Sequence, residues 1–315
     1  MSKLAFLFPG QGSQSVGMGR ALLDHGGAVA QVFQQVDDTL GFSLSDIMLN
    51  GPAATLTATE NAQPALVTTA MAVLTLLREN YNLTPDFVAG HSLGEYSAIC
   101  AAGGLTLAES VSLVRIRGEA MQASVVPGQG TMAAMLNMER ALVEEVCQLA
   151  SQETGLIAVA ANFNTPGQIV ISGHRGAVER AVAISKERGK RCMMLEVSGA
   201  FHSPLMEPAS HRMAQALAAT PVRDLSIPLV ANVTASAVQN GEEINRLLIQ
   251  QITSPVLWED TIRYLASQGV TTFLELGTGK VLTGMIKRID PALVGITING
   301  PEDLPQLANL CSVNS

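Results

Sequence analysis

VAGHSLGEYSA, residues 88–98, sets one serine between two glycines, after a short apolar run and before a helical-looking one. Gly90-His91-Ser92-Leu93-Gly94 matches G-x-S-x-G, in which the serine stands on a strained strand-to-helix turn at the top of a sheet. Glycine at both flanks lets two backbones pass close together. A helix starting there offers unpaired N–H groups and the positive end of its dipole, which favour an oxyanion. Serine is also a good helix N-cap, so Ser92 has two readings, nucleophile or cap. Partners elsewhere in the chain decide between them.

A serine nucleophile needs a base, usually histidine, and the chain has five. His25, His174 and His211 lie in or beside polar segments, and His91 adjoins the serine on a turn where neighbours point apart. His202 lies in VSGAFHSP, residues 197–204, an apolar, glycine-containing loop between a predicted strand and a predicted helix. An imidazole there is either functional or a core histidine satisfied by backbone groups. No acidic residue stands out as a third member of a triad.

One arginine completes the candidate set. On the predicted helix over residues 106–125, Leu107, Val111, Val114, Gly118 and Met121 form one apolar stripe, with Arg115 and Arg117 on opposite flanks. Arg115 shares its side with Ser112, Glu119 and Gln122, and Glu119 is one turn away for an ion pair. Arg117 shares its side with Leu113 and Met121, which predicts a partly desolvated guanidinium with no obvious internal partner. Such an arginine suits a bidentate grip on a substrate carboxylate.

Composition narrows the class. Apolar residues make up 47% of the chain and charged residues 15%, the profile of a folded globular protein. A net charge of −8 speaks against general nucleic-acid binding. No apolar run reaches the roughly 20 residues of a membrane span, and the start of the chain lacks signal-peptide character. Cys100, Cys147, Cys192 and Cys311 form no CxxC pair and fit a reducing compartment, so a cytoplasmic location is expected. No metal site or cofactor is expected, since FPGQGSQSVGMG (residues 8–19) lacks G-x-G-x-x-G spacing and GTGK (277–280) lacks P-loop spacing. Both read as tight turns, the first able to complete an oxyanion hole.

The order of elements predicts an α/β fold. Strands are expected at residues 4–8, 86–89, 228–232 and 272–276, and helices at 28–40, 64–79 (with Pro64 in the first turn), 92–102, 106–125, 204–220, 241–252 and 256–268. Between Pro127 and Ser198 the rhythm changes: strand 131–136, helix 139–152, a hairpin of 157–161 and 168–172, helix 177–189, strand 191–197. That β-α-β-β-α-β order is the ferredoxin-like arrangement. The expected organisation is a large domain of residues 1–127 and 198–315, with a small subdomain of residues 128–197 inserted.

FPGQGSQ (8–14), GHSLGE (90–95), R-x-R-G-x-x-M (115–121), AFHS (200–203) and GTGKVLTG (277–284) together resemble the malonyl-CoA:acyl carrier protein transacylases, end to end and in order. The resemblance implies a hydrolase-like α/β domain with a parallel sheet and an inserted ferredoxin-like subdomain. It implies Ser92 as the acylated nucleophile, His202 as its base, and Gln11 and Leu93 as backbone donors to the oxyanion. Arg117 would hold the malonyl carboxylate, with Met121 and Asn162 lining the substrate site. Gln251 would orient the histidine through its backbone carbonyl, replacing the missing acid. Ala200-Phe201 resembles the malonyl-accepting form of this loop, and Thr278 stands where many relatives have proline.

The implied activity is ping-pong malonyl transfer from malonyl-CoA to the phosphopantetheine thiol of acyl carrier protein, for fatty acid synthesis, by an enzyme expected to be monomeric. Loading of a polyketide synthase or malonate decarboxylase carrier is the alternative within the family, and a serine esterase or thioesterase the alternative outside it. Lys186, Arg188, Lys190 and Arg191, with Lys287 and Arg288, form two basic clusters on an acidic chain. They read as a carrier docking surface or as solvated helix ends.

Overall fold

A computed structural model describes residues 3–197 and 199–308; Ser198, where the large domain is expected to resume, and Cys311 lie outside them. The described strands, in chain order, are β1 (Lys3–Phe8), β2 (Phe87–Gly90), β3 (Gly130–Leu136), β4 (Ala158–Thr165), β5 (Gln168–His174), β6 (Arg191–Met194), β7 (Leu229–Val230), β8 (Ala237–Val238), β9 (Val270–Leu276) and β10 (Val294–Ile298). One sheet runs β10-β9-β1-β2-β7-β8 and is parallel except for the terminal β7–β8 pair. Its central strand, KLAFLF, is a continuous apolar run whose last four residues are buried, as expected of a parallel strand covered on both faces. Because β1, β2 and β9 run the same way, their carboxyl ends deliver Pro9, His91 and Gly277 to one edge, where ligands of open α/β sheets bind.

The second sheet is antiparallel, in the order β4-β5-β3-β6, and packs with helices Arg140–Thr154 and Arg175–Glu187 around its own core of Met135, Val143, Val146, Ile171 and Val178. The β-α-β-β-α-β order is therefore realised as a separate small unit. β4 fastens it to the rest of the chain: Val256 N donates to Ala161 O and Phe163 N to Val256 O, each at 2.9 Å. Among the described residues no helix is long and apolar enough to cross a membrane.

Several boundaries differ from expectation. The helix containing Pro64 spans Thr59–Asn80, which puts the proline in its interior and not its first turn. Proline has no N–H for the carbonyl of Glu60 four residues earlier, and Nη1 of Arg115 donates to that carbonyl instead, at 3.2 Å. The hairpin strands are longer than predicted and reach the turn at Pro166-Gly167, while the strand from Arg191 stops at Met194. Helices Arg20–His25, Leu44–Asn50, Ala53–Thr57 and Val281–Ile289 and strand β10 had no counterpart in the sequence reading. The predicted helix over 204–220 opens with a 3-10 turn, Pro204–Met206, before its α-helical part, Glu207–Ala219.

Candidate active site

Ser92 occupies the turn between β2 and helix Gly94–Ala101 with φ of 53°, the left-handed region that side chains other than glycine avoid. The flanking glycines permit the turn. A Cβ on Gly90 would lie 2.0 Å from the carbonyl of Gly94, and one on Gly94 would lie 2.2 Å from the carbonyl oxygen of Phe8. The turn is held from outside by Asn232, whose Oδ1 accepts from Ser92 N at 2.7 Å and whose Nδ2 donates to Gly90 O at 2.7 Å. Ser92 is therefore not the N-cap of that helix; Leu93 is, and no side chain caps it.

His202 is 3% exposed, and its Nε2 stands 2.7 Å from Oγ of Ser92. Nδ1 lies 2.9 Å from the backbone carbonyl of Gln251, which can only accept, so Nδ1 carries the hydrogen and Nε2 is free to receive the serine proton. Burial, with the nearby Arg117 charge, pushes the imidazole down to about 3, so it rests neutral.

Arg117 is 1% exposed and is not without internal partners, contrary to expectation. Nη1 donates to Gln63 Oε1 at 2.8 Å, and Nη2 donates to Gln251 Oε1 at 2.9 Å and to Ser92 Oγ at 3.0 Å. All three acceptors are neutral, and among the described residues Nε has no hydrogen-bond partner. Arg115, by contrast, is half-buried and pairs with Glu119 at 2.9 Å, as the helix pattern predicts.

These groups open on a cavity of about 390 Å³ that reaches from the large sheet's carboxyl edge to the small sheet. Ser92, His202, Arg117, Gln11, Leu93, Met121 and Asn162 all line it. Gln251 does not line it and so is not a substrate-binding residue; it is fully buried behind His202, which its backbone carbonyl meets. The N–H groups of Leu93 and Gln11 make no hydrogen bond within the described residues.

Four site residues escaped the sequence reading. Gln63 and Asn232 are described above. Asn164 lines the cavity and engages Nε2 of His91 at 2.9 Å, which occupies that ring nitrogen. Glu95, 2% exposed, accepts from Asn232 N at 3.2 Å and from Gln251 Nε2, and burial raises its carboxyl to about 7. A carboxylate in the otherwise weakly polar run Glu95-Tyr96-Ser97-Ala98-Ile99 was the signal available for it.

A strained serine beside a neutral imidazole, at the carboxyl edge of a parallel sheet, places the chain among serine-dependent α/β acyl transferases and hydrolases. The acyl transferase domain model matches residues 5–289. The malonyl CoA-acyl carrier protein transacylase of Bacillus subtilis strain 168 is 47% identical over 305 residues, 96% of each chain. The crystal structure of acyl-carrier-protein-S-malonyltransferase from Bartonella henselae is similar with a TM-score of 0.95 and 44% identity, covering 98% of this chain and 99% of that one. A malonyl-transacylase solved in complex with its type II polyketide synthase acyl-carrier protein matches with a TM-score of 0.95 and 36% identity, over 98% and 100% of the two chains. The chain belongs to the acyl transferase family and, within it, to the malonyl CoA-acyl carrier protein transacylases.

Proposed function

We propose that this enzyme moves a malonyl group from malonyl-CoA to the phosphopantetheine thiol of an acyl carrier protein through a malonyl ester on Ser92, supplying extender units for fatty acid synthesis. The observation that carries the assignment is the meeting of His202 Nε2 and Arg117 Nη2 on the single oxygen of Ser92, inside one cavity.

In the first half-reaction Oγ attacks the thioester carbonyl while Nε2 of His202 takes its proton. The tetrahedral oxyanion is held by the free N–H groups of Leu93 and Gln11. Collapse expels coenzyme A, whose sulfur leaves with the proton from His202. In the second, the carrier thiol gives its proton to His202 and attacks the ester, and collapse returns the proton to Ser92. Gln251 holds the imidazole by its backbone carbonyl, and a carbonyl suffices because the base works from a neutral resting state.

Arg117 selects the acyl group. Its Nε–H, unpaired among the described residues, offers a substrate carboxylate a charge-assisted bond, alongside the Nη2–H that rests on Ser92 Oγ before substrate enters. Met121 and Asn162 shape the wall around the acyl chain. The basic clusters suit an acidic carrier: Lys186 and Lys287 are exposed, while Arg188 is paired with Glu145 at 2.9 Å and Arg288 donates to Gln168. Incubation with malonyl-CoA adds one malonyl mass to the peptide bearing Ser92 and none to the Ser92→Ala protein; labelling of another residue rejects the assignment.

A further inference from the structure

The mechanism above uses no carboxylate, yet one lies sealed beneath the site. Glu95 sits in the first turn of helix Gly94–Ala101, three residues beyond the serine. Its Oε1 accepts from the backbone N–H of Asn232, the residue whose side chain holds Ser92 N and Gly90 O. Its Oε2 accepts from Nε2 of Gln251. That same amide nitrogen donates to Ser92 O at 3.0 Å, while the amide oxygen accepts from Arg117 Nη2 at 2.9 Å.

An amide can lie either way round in a pocket, with its oxygen and nitrogen exchanged. Here the choice matters, since one orientation points oxygen at the guanidinium and the other points N–H groups at it. A carboxylate can only accept hydrogen bonds, so an ionised Glu95 demands the NH2 end and leaves the oxygen for Arg117. A protonated or amide side chain in its place accepts either end. Among the described residues Arg117 makes no ion pair, which leaves Glu95 as its electrostatic counterweight at one amide's remove.

We propose that Glu95 is the positioning residue of this site: its carboxylate fixes the orientation of the Gln251 amide and the seat of Asn232, and through them aims Arg117 and Ser92. The proposal rests on the serine-acylation reading above. The charged and titratable groups around Glu95 are Arg117, from helix Leu107–Ala123, and Tyr96, from its own helix, whose hydroxyl burial holds protonated. Helix Gly241–Gln251 and the segment after β7 turn the neutral amides of Gln251 and Asn232 toward it. On the cavity side burial lowers both His202 and His91, the former to about 3, so the His202 imidazole stays neutral through the pH range where Glu95 ionises.

The test compares wild type with Glu95→Gln, using malonyl-CoA and a holo carrier protein from about pH 5.5 to 8.5. Wild-type kcat/KM should fall toward acid through one ionisation near 7, the value burial gives this carboxyl. Glu95→Gln should show no such ionisation and should lie below wild type at pH 8, by on the order of 100-fold as for other losses of alignment. Its melting temperature at pH 8 should equal or exceed that of wild type, because a buried charge has been removed; activity lost in step with stability would mark a merely structural role. Should the variant not fold, the wild-type profile decides, and a flat one overturns the proposal. An acid limb that persists in Glu95→Gln, or full activity of that variant at pH 8, also overturns it. Absence of malonyl on Ser92 in wild type is a different failure, since it removes the reading beneath.

Discussion

Arg117 and His202 converge on one atom: Nη2 of the guanidinium and Nε2 of the imidazole lie 3.0 and 2.7 Å from Oγ of Ser92. Burial lowers the affinity of the imidazole for a proton, and a cation so close lowers it further. The imidazole therefore rests unprotonated at every physiological pH. The same cation stabilises negative charge developing on the serine oxygen as its proton departs.

Replacing Arg117 with alanine should change which acyl group is transferred. Malonyl kcat/KM should fall by on the order of 100-fold, because the carboxylate loses a desolvated, charge-assisted partner. Acetyl transfer should rise, since the acetyl group no longer has to sit against an uncompensated guanidinium. Steady-state rates with both coenzyme A esters decide it; a parallel decline would make Arg117 a structural residue.

The two buried titratable groups pull stability in opposite directions with pH. His202 falls from its ordinary 6.5 to about 3 in the folded state. Its contribution is complete above about pH 6.5 and is lost as pH drops toward 3, because only the unfolded chain takes up the proton. Glu95 rises from 4.5 to about 7, so its burial penalty is complete above about 7 and relieved as pH drops toward 4.5. Between about pH 4.5 and 6.5 the two slopes oppose each other, each near 1.4 kcal/mol per pH unit. Urea unfolding should show Glu95→Gln losing stability with acid relative to wild type and His202→Asn gaining it. The same slope in both variants would contradict the assignments.

Two glycine substitutions should differ in sign. Gly94→Ala drives a methyl to 2.2 Å from the Phe8 carbonyl and should cost at least about 1–3 kcal/mol. Gly284→Ala, exposed in helix Val281–Ile289 with open space around its Cα, should gain ~0.5–1 kcal/mol. Chemical denaturation of the two variants measures both, and a Gly94→Ala protein as stable as wild type would mean that the elbow is looser than these distances imply.

Charge reversal at Lys186 and Lys287 should raise KM for the carrier protein by roughly tenfold, with the effect shrinking in salt, and leave KM for malonyl-CoA unchanged. Equal changes in both constants, or none, would assign these lysines to ordinary solvated helix ends.

Ser92, His202 and Arg117 were legible in the sequence because each announces itself locally. A serine between glycines, an imidazole in an apolar loop and an arginine on the greasy flank of a helix are all visible within a few residues. Of the residues that hold them, Gln251 came only with the family resemblance, and Asn232 and Glu95 did not come at all. Asn232 reaches Ser92 across 140 positions and Gln251 reaches Glu95 across 156, so nothing adjacent in sequence links them. Helix Val281–Ile289 was missed for a related reason: its first N–H groups are capped by Glu275 on β9, a partner supplied by the tertiary fold. The fold class itself was readable from the alternation of apolar runs and helical periods, and the small antiparallel sheet from the change in that rhythm.

Ser92 and His202 sit on loops of the large domain and Arg117 on its helix Leu107–Ala123, whereas Met132, Asn162, Asn164 and Val170 reach the same cavity from the small sheet. The wall of the cavity is thus shared between the two sheets, and Met132 and Val170 pack into the core of the larger one. On the proposed mechanism, a slight tilt of the small sheet would leave Ser92, His202 and Arg117 in place yet admit bulk water to the ester, and the cargo would be lost as free malonate. On the proposed mechanism, the wall that the small sheet supplies helps to keep the ester dry and takes no part in the bond making.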